Sequence, residues 1–153
     1  MANLRIASWL AFILPAALLG GALLSQYGFG LFPCEMCMWQ RWPHMAAIAF
    51  ALLAFFMRNQ VSKRLLVVLA ALAILTSGLI GGFHAGVEYG WWEGITSCAT
   101  TAVTDLDSIM NAPLVRCDVA PWTLFGVSLA GFNFLISCGG AILILILMRR
   151  KES

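Results

Sequence analysis

Apolar residues run without any Asp, Glu, Lys or Arg over residues 6–34, 42–57, 65–87 and 119–148. A helix needs about 20 such residues to cross roughly 30 Å of hydrocarbon. The pattern predicts four membrane helices at about 6–26, 41–57, 65–84 and 121–148. The second is short and needs Trp39 and Trp42 at the interface, where tryptophan is favoured. No segment shows the two-residue alternation of a lipid-facing strand. The expected fold is all-α: one membrane domain over 1–153, a four-helix transmembrane bundle with outer loops at about 27–40 and 85–120. Arg5 before an apolar stretch has the outline of a signal peptide. The stretch is longer than an h-region and lacks a small-residue cleavage site, so it is expected to remain as a span.

Composition agrees. The chain of 153 residues is 61% hydrophobic and 10% charged, whereas a soluble domain carries about 25% charged residues. The formal charge of +2, without a basic patch, excludes a nucleic-acid partner. Arg5, Arg58, Lys63, Arg64, Arg149, Arg150 and Lys151 fall on one side of the expected spans, and Arg41 and Arg116 on the other. The positive-inside rule then makes both termini and the 58–64 loop cytoplasmic. Pairs of small residues four apart, Ala16 and Gly20, Ala17 and Gly21, Gly78 and Gly82, Gly126 and Ala130, are expected to let helices approach closely.

The chemistry lies in the cysteines. Cys34, Cys37, Cys98 and Cys117 fall in the two outer loops, and Cys138 lies deep in the fourth span. Cys138 is expected to act as a small hydrophobe. Two cysteine pairs on the side of an oxidising compartment point to disulfides. Cys34-Glu-Met-Cys37 is a C-x-x-C, which also serves in metal half-sites and haem attachment. Met38 replaces the histidine that haem attachment needs. A four-cysteine zinc site would want a second close pair, and no metal is expected. A two-residue spacer closes a small ring, which removes little chain entropy, so this bridge suits exchange better than stapling. The second pair fits a staple and a redox role equally well.

Cys37 is expected near a helix N-terminus with Arg41 close by, both of which favour a thiolate. Pro43 is expected to mark the start of regular helix near Trp42. A redox pair at the hydrocarbon boundary needs an acceptor, and a lipid quinone is within reach. Trp39, Trp42 and Arg41 would supply walls and a donor, and His84 or His44 a second donor. Leu106, Ile109 and Met110 have the spacing of a short amphipathic helix on the membrane surface.

These residues together resemble the disulfide bond formation protein B (DsbB) family, bacterial inner-membrane quinone reductases. The matching pieces are Cys34-Glu-Met-Cys37 with Gln40-Arg-Trp-Pro43, then His84-Ala-Gly-Val-Glu-Tyr-Gly-Trp-Trp-Glu-Gly94 ahead of Cys98. Cys117-Asp118, Pro121-Trp122 and Gly126-Val-Ser-Leu-Ala-Gly-Phe-Asn133 complete the match. Glu35 departs from the apolar or proline residue common there. The resemblance implies a quinone-dependent protein-disulfide oxidoreductase in the inner membrane with its active loops in the periplasm. Cys98 would form a mixed disulfide with a DsbA-like periplasmic oxidant and Cys117 would be its pair. Electrons would pass to Cys34–Cys37, and Cys37 would deliver them to ubiquinone or menaquinone held by Arg41 and His84. That periplasmic oxidation runs through such a DsbA–DsbB–quinone route is general knowledge of thiol exchange. A vitamin K epoxide reductase-like enzyme and a non-catalytic, disulfide-stapled membrane scaffold are the alternatives. The Gln40–Pro43 segment speaks against the first.

Overall fold

The computed structural model describes residues 2–96 and 116–149. Cys98 and the expected amphipathic helix around Leu106 lie outside the described residues. Four long helices dominate: α1 (Ala2–Phe29), α2 (Glu35–Phe56), α3 (Gln60–Glu88) and α4 (Leu129–Arg149). A two-stranded hairpin, β1 (Thr123–Leu124) and β2 (Val127–Ser128), precedes α4. Among the described residues, three helical segments are long and apolar enough to cross a membrane: Asn3–Phe29, Gln60–Glu88 and Leu129–Arg149. α2 opens with Glu35, Gln40 and Arg41, so its apolar part is shorter. Large apolar side chains such as Ile13, Leu24, Phe56, Leu79 and Leu143 face outward. An exterior this apolar suits lipid rather than water, and the chain is a multi-pass membrane protein.

α3 is the central helix, packed on both α2 and α4, and α1 covers α2 and α4. Alanines make this packing close. Ala47, Ala51 and Ala54 of α2 meet Ala70 and Ala71 of α3 and Ala7 and Ala11 of α1, all fully buried. The three- and four-residue spacing of the α2 and α1 sets keeps each on one helix face. In α3, a Cβ on Gly78 would stand 2.8 Å from Cys138 Sγ. One on Gly82 would meet the Phe134 ring at 2.7 Å. These two glycines therefore set the approach of α4, as expected of them, and Cys138 packs in that contact. The other small pairs behave differently. Nothing lies within 4 Å of a Cβ built on Gly20, Gly21 or Gly126. Gly21 and its neighbours leave space beside α1, and Gly126 is in the hairpin turn.

The helix ends explain two departures from the expected boundaries. α2 begins at Glu35, ahead of Pro43, because the Cys34 sulfur serves as its N-cap and accepts the Cys37 N–H at 3.2 Å. Pro43 is thus inside the helix. A proline there removes the bond to the Trp39 carbonyl, and beside it the Ser77 hydroxyl donates to the Gln40 carbonyl at 2.8 Å. α4 begins at Leu129 rather than near 121 because a tight hairpin occupies 123–128. Phe125 and Gly126, at φ 50° and 78°, form its turn with both central residues left-handed, the type that matches strand twist. Ser128 then caps α4, its hydroxyl accepting the Gly131 N–H at 3.1 Å. Tyr89 pins the hairpin to the end of α3: its hydroxyl donates to the Gly126 carbonyl and accepts the Ser128 N–H, both at 3.0 Å. α3 itself stops at a glycine-ended cap, with the Trp91 N–H on the Gly86 carbonyl at 2.8 Å and Gly90 at φ 70°. The start of α2, the end of α3 and the approach to α4 therefore meet at one end of the bundle.

Candidate redox site

The first turn of α2 holds both sulfurs of the C-x-x-C. Cys34 is buried as the N-cap, Cys37 is half-buried one turn on, and their Sγ atoms stand 2.9 Å apart as free thiols. The Cys34 S–H donates to Cys37, which holds the Cys37 thiol below its ordinary range. The helix N-terminus acts the same way, and Arg41 adds its charge. Cys34 is pushed far up, because it carries the proton of that bond and is buried. The two thiols should therefore separate in alkylation by iodoacetamide. Cys37 is expected to react below the ordinary cysteine range, with a rate that falls only as its thiolate takes a proton at still lower pH. Cys34 is expected to stay unmodified. Equal rates for both at every pH would contradict the arrangement.

His84 reaches these sulfurs from the last turns of α3. Its Nε2 is 3.6 Å from Cys34 Sγ, 3.2 Å from the Cys117 carbonyl oxygen and 3.8 Å from Glu88 Oε1. Its tautomer follows from its neighbours. Gln40 Nε2 is 3.1 Å from the Met36 carbonyl, which can only accept. Asn133 Nδ2 is 3.1 Å from the Ser77 carbonyl, also an acceptor, and 2.9 Å from Gln40 Oε1. The second N–H of Gln40 is thus left for His84 Nδ1, at 2.9 Å. Nδ1 accepts, so Nε2 carries the ring proton. Farther in, Asn133 Oδ1 accepts from Ser137 at 2.8 Å and from His44 Nε2 at 3.0 Å. One buried chain of donors runs from Ser137 through Asn133 and Gln40 to His84, and ends on Cys34 and Cys117.

Cys34, Cys37 and His84 have ligand atoms within 4.8 Å of one another, close enough to hold a metal ion. A metal on Nε2 would need the opposite tautomer, and with it a reversed Gln40 amide that loses Met36 and Asn133. The amide chain therefore works against that use of the cluster.

Cys117 is buried beside Cys34, Met36 and Val87, and its sulfur accepts from the Thr96 hydroxyl at 3.4 Å. The structure thus brings Cys34, Cys37, Cys117, Arg41 and His84 to one end of the bundle. Beside Cys117, Arg116 binds Asp118 through two bonds of 2.9 and 2.6 Å, which holds the exposed Asp118 carboxyl below its usual range.

Two cavities meet at the pair. The first, about 260 Å³, is walled mainly by apolar residues of α1 and α4, including Ala17, Gly21 and Phe132. Cys37, Arg41, His84 and Glu88 form its polar end. Cys37 and Arg41 are four residues apart on one helix, hence on one face. Arg41 spans to α1, donating to Gln26 Oε1 and to the Ala22 carbonyl at 3.2 Å. The second cavity, about 480 Å³, is lined by Cys34 as well as Cys37, and by Arg116 and Val119 near Cys117. Trp39 and Trp42, expected as walls of the first cavity, instead line a separate recess with Pro43 and Ile80.

Gln40, Ser77, Asn133 and Glu88 were not singled out by their chemistry in the sequence. One signal was available: polar residues inside a span are costly and cluster at working sites. Ser77 and His84 are seven apart in an apolar run, and Gln40 and His44 are four apart.

A family model described as disulfide bond formation protein DsbB matches residues 4–147. A disulfide bond formation protein B of Verminephrobacter eiseniae is 30% identical, over 88% of this chain and 80% of its own length. One from a Polaromonas species is 30% identical over 88% and 84%, and one from Methylobacillus flagellatus 26% over 95% and 93%. No solved structure matches. With the C-x-x-C, the buried histidine and the whole helical layout in the matched region, the chain belongs to the disulfide bond formation protein B (DsbB) family.

Proposed function

We propose that the protein is a quinone-dependent protein-disulfide oxidoreductase that reoxidises a periplasmic, DsbA-like thioredoxin-fold dithiol protein. In this reading all four helices span a bacterial inner membrane. Both termini are cytoplasmic, and the Cys34 and Cys117 end faces the periplasm. One observation carries the proposal. Cys37 opens onto an apolar cavity that also holds a cation, while Cys34 opens onto a second cavity lined by Arg116, the neighbour of Cys117.

The cavity suits a lipid quinone head group. Its walls are apolar, its volume falls a little under the usual range for small-molecule pockets, and its donor, Arg41, lies on the same face as Cys37. Ubiquinone or menaquinone, held by Arg41 and His84, supplies an acceptor for two electrons and two protons. The chain's own residues do the rest. Cys98 takes the partner's electrons through a mixed disulfide that frees Cys117 and that the partner's second thiol resolves. The Cys98–Cys117 dithiol then reduces Cys34–Cys37 by exchange. Low thiol pKa at Cys37 makes it the nucleophile towards the acceptor. His84 gives its ring to the cavity wall and its Nε2–H to the Cys34 sulfur and the Cys117 carbonyl.

A turnover assay tests this. The detergent-purified protein is mixed with a reduced thioredoxin-fold dithiol protein and a short-chain ubiquinone or menaquinone analogue, and quinone absorbance is followed. Quinone loss in step with dithiol oxidation is expected. Dithiol oxidation at the same rate without quinone would refute the proposal.

A further inference from the structure

Glu88 lines both cavities together with Cys37 and His84. Its side chain is 2% exposed, and its Oε2 has no hydrogen-bond partner. Neither cation lining the cavities is hydrogen-bonded to it: Arg41 donates to Gln26 and to the Ala22 carbonyl on α1, and Arg116 pairs with Asp118. His84, 3.8 Å away on its own helix, is neutral by its hydrogen bonding. Its Nδ1 takes the Gln40 N–H, so a second ring proton would displace Gln40. Glu88 is also the last residue of α3, where the helix dipole disfavours negative charge. A buried carboxylate without a cation is costly, and a Cys37 thiolate facing the same space would repel it.

We propose that Glu88 is the proton carrier of the Cys34–Cys37 pair: it holds the proton that Cys37 gives up while the pair is reduced, and releases it when the disulfide forms. The assignment rests on the quinone reading for its acceptor. The balance is complete. In the reduced state Cys37 is a thiolate, Cys34 a thiol and Glu88 a carboxylic acid. Oxidation breaks the Cys34 S–H bond, joins Cys34 Sγ to Cys37 Sγ and sends two electrons to the quinone. One proton leaves Cys34 and one leaves Glu88, so the acceptor departs as quinol and Glu88 remains a carboxylate. Re-reduction by the Cys98–Cys117 dithiol brings two protons, one for Cys34 and one for Glu88. Loss of the thiolate charge is what lets Glu88 ionise. Among the described residues, the titratable and charged groups around it besides Cys37 are His84 on α3, Arg41 on α2, Cys34 before α2, and Arg116 and Cys117 ahead of the hairpin. His44, another proton acceptor, lines the apolar cavity alone.

Two measurements on the detergent-purified protein test this without quinone. Reduced-minus-oxidised infrared spectra, cycled with a small dithiol and its disulfide, should show a carboxylic-acid C=O band in the reduced state and carboxylate bands in the oxidised state. The pair should vanish in Glu88→Gln and return, shifted, in Glu88→Asp. Oxidation near neutral pH by ferricyanide, which accepts electrons only, should release two protons per Cys34–Cys37 disulfide from the otherwise wild-type protein and one from Glu88→Gln, the second pair being removed in both by Cys98→Ser and Cys117→Ser. A wild-type spectrum without the acid band, or a wild-type count of one, overturns the proposal even if the variants do not fold. So does an unchanged band in Glu88→Gln, or a proton count carried by His44 with no carboxyl signal. Absence of quinone consumption in the turnover assay would refute the quinone reading and leave these results standing.

Discussion

Cys37→Ser is expected to abolish quinone-linked dithiol oxidation, a loss on the order of 10⁴-fold or more, as for removal of a nucleophile that acts as part of a unit. The fold should survive. Serine is smaller and polar, Cys37 is only half-buried, and the Cys34 cap of α2 accepts the residue-37 backbone N–H rather than its side chain. Circular dichroism and the thermal midpoint should match the wild type. Cys34→Ser should also stop turnover, yet leave a reactive Cys37, since a serine hydroxyl caps a helix well. Full turnover in Cys37→Ser would place the acceptor at another sulfur.

Gln40→Leu should give the largest loss of stability. The change strips His84 Nδ1 of its donor and leaves the Met36 carbonyl and one Asn133 N–H without Gln40. A buried group left unpaired costs about 1–3 kcal/mol, so a total of about 3 kcal/mol is expected, read as a lowered melting midpoint in detergent. Because these residues form one network, Asn133→Ala combined with Gln40→Leu should cost less than the sum of the two. Strict additivity, or no change in Gln40→Leu, would mean that the chain of donors does not hold the site together.

Much of this architecture is legible as charge-free runs, because lipid demands them. The helix ends are less so. Pro43 suggested a late start for α2, but a sulfur caps the helix earlier. Residues 121–128 are apolar enough to pass for membrane helix, yet Phe125-Gly126 with the Ser128 cap makes a hairpin. The four-residue spacing of small residues predicts contact at Gly78 and Gly82 and fails at Gly20 and Gly21. A small side chain makes room, and only the neighbouring helix decides whether the room is filled. Within the site, Cys34, Cys37, Arg41 and His84 stood out by type. Trp39 and Trp42 were read as walls from proximity in sequence alone, though they point from a different face of α2 than Cys37 and Arg41. Gln40, Asn133 and Glu88 matter through what they touch across helices, 93 positions apart in the Gln40–Asn133 bond, and one-dimensional spacing does not carry that.

On the proposed function, Cys34 and Cys37 hand electrons directly to a lipid-soluble acceptor beside them. The most direct test is a single turnover without any partner protein. The fully reduced protein is mixed anaerobically with a short-chain quinone, quenched by alkylation and mapped by mass spectrometry. A Cys34–Cys37 disulfide formed in step with quinol is expected, with Cys117 and Cys98 alkylated at the earliest times. A first disulfide that involves Cys117 or Cys98, or a pair that stays reduced in the presence of quinone, would contradict it.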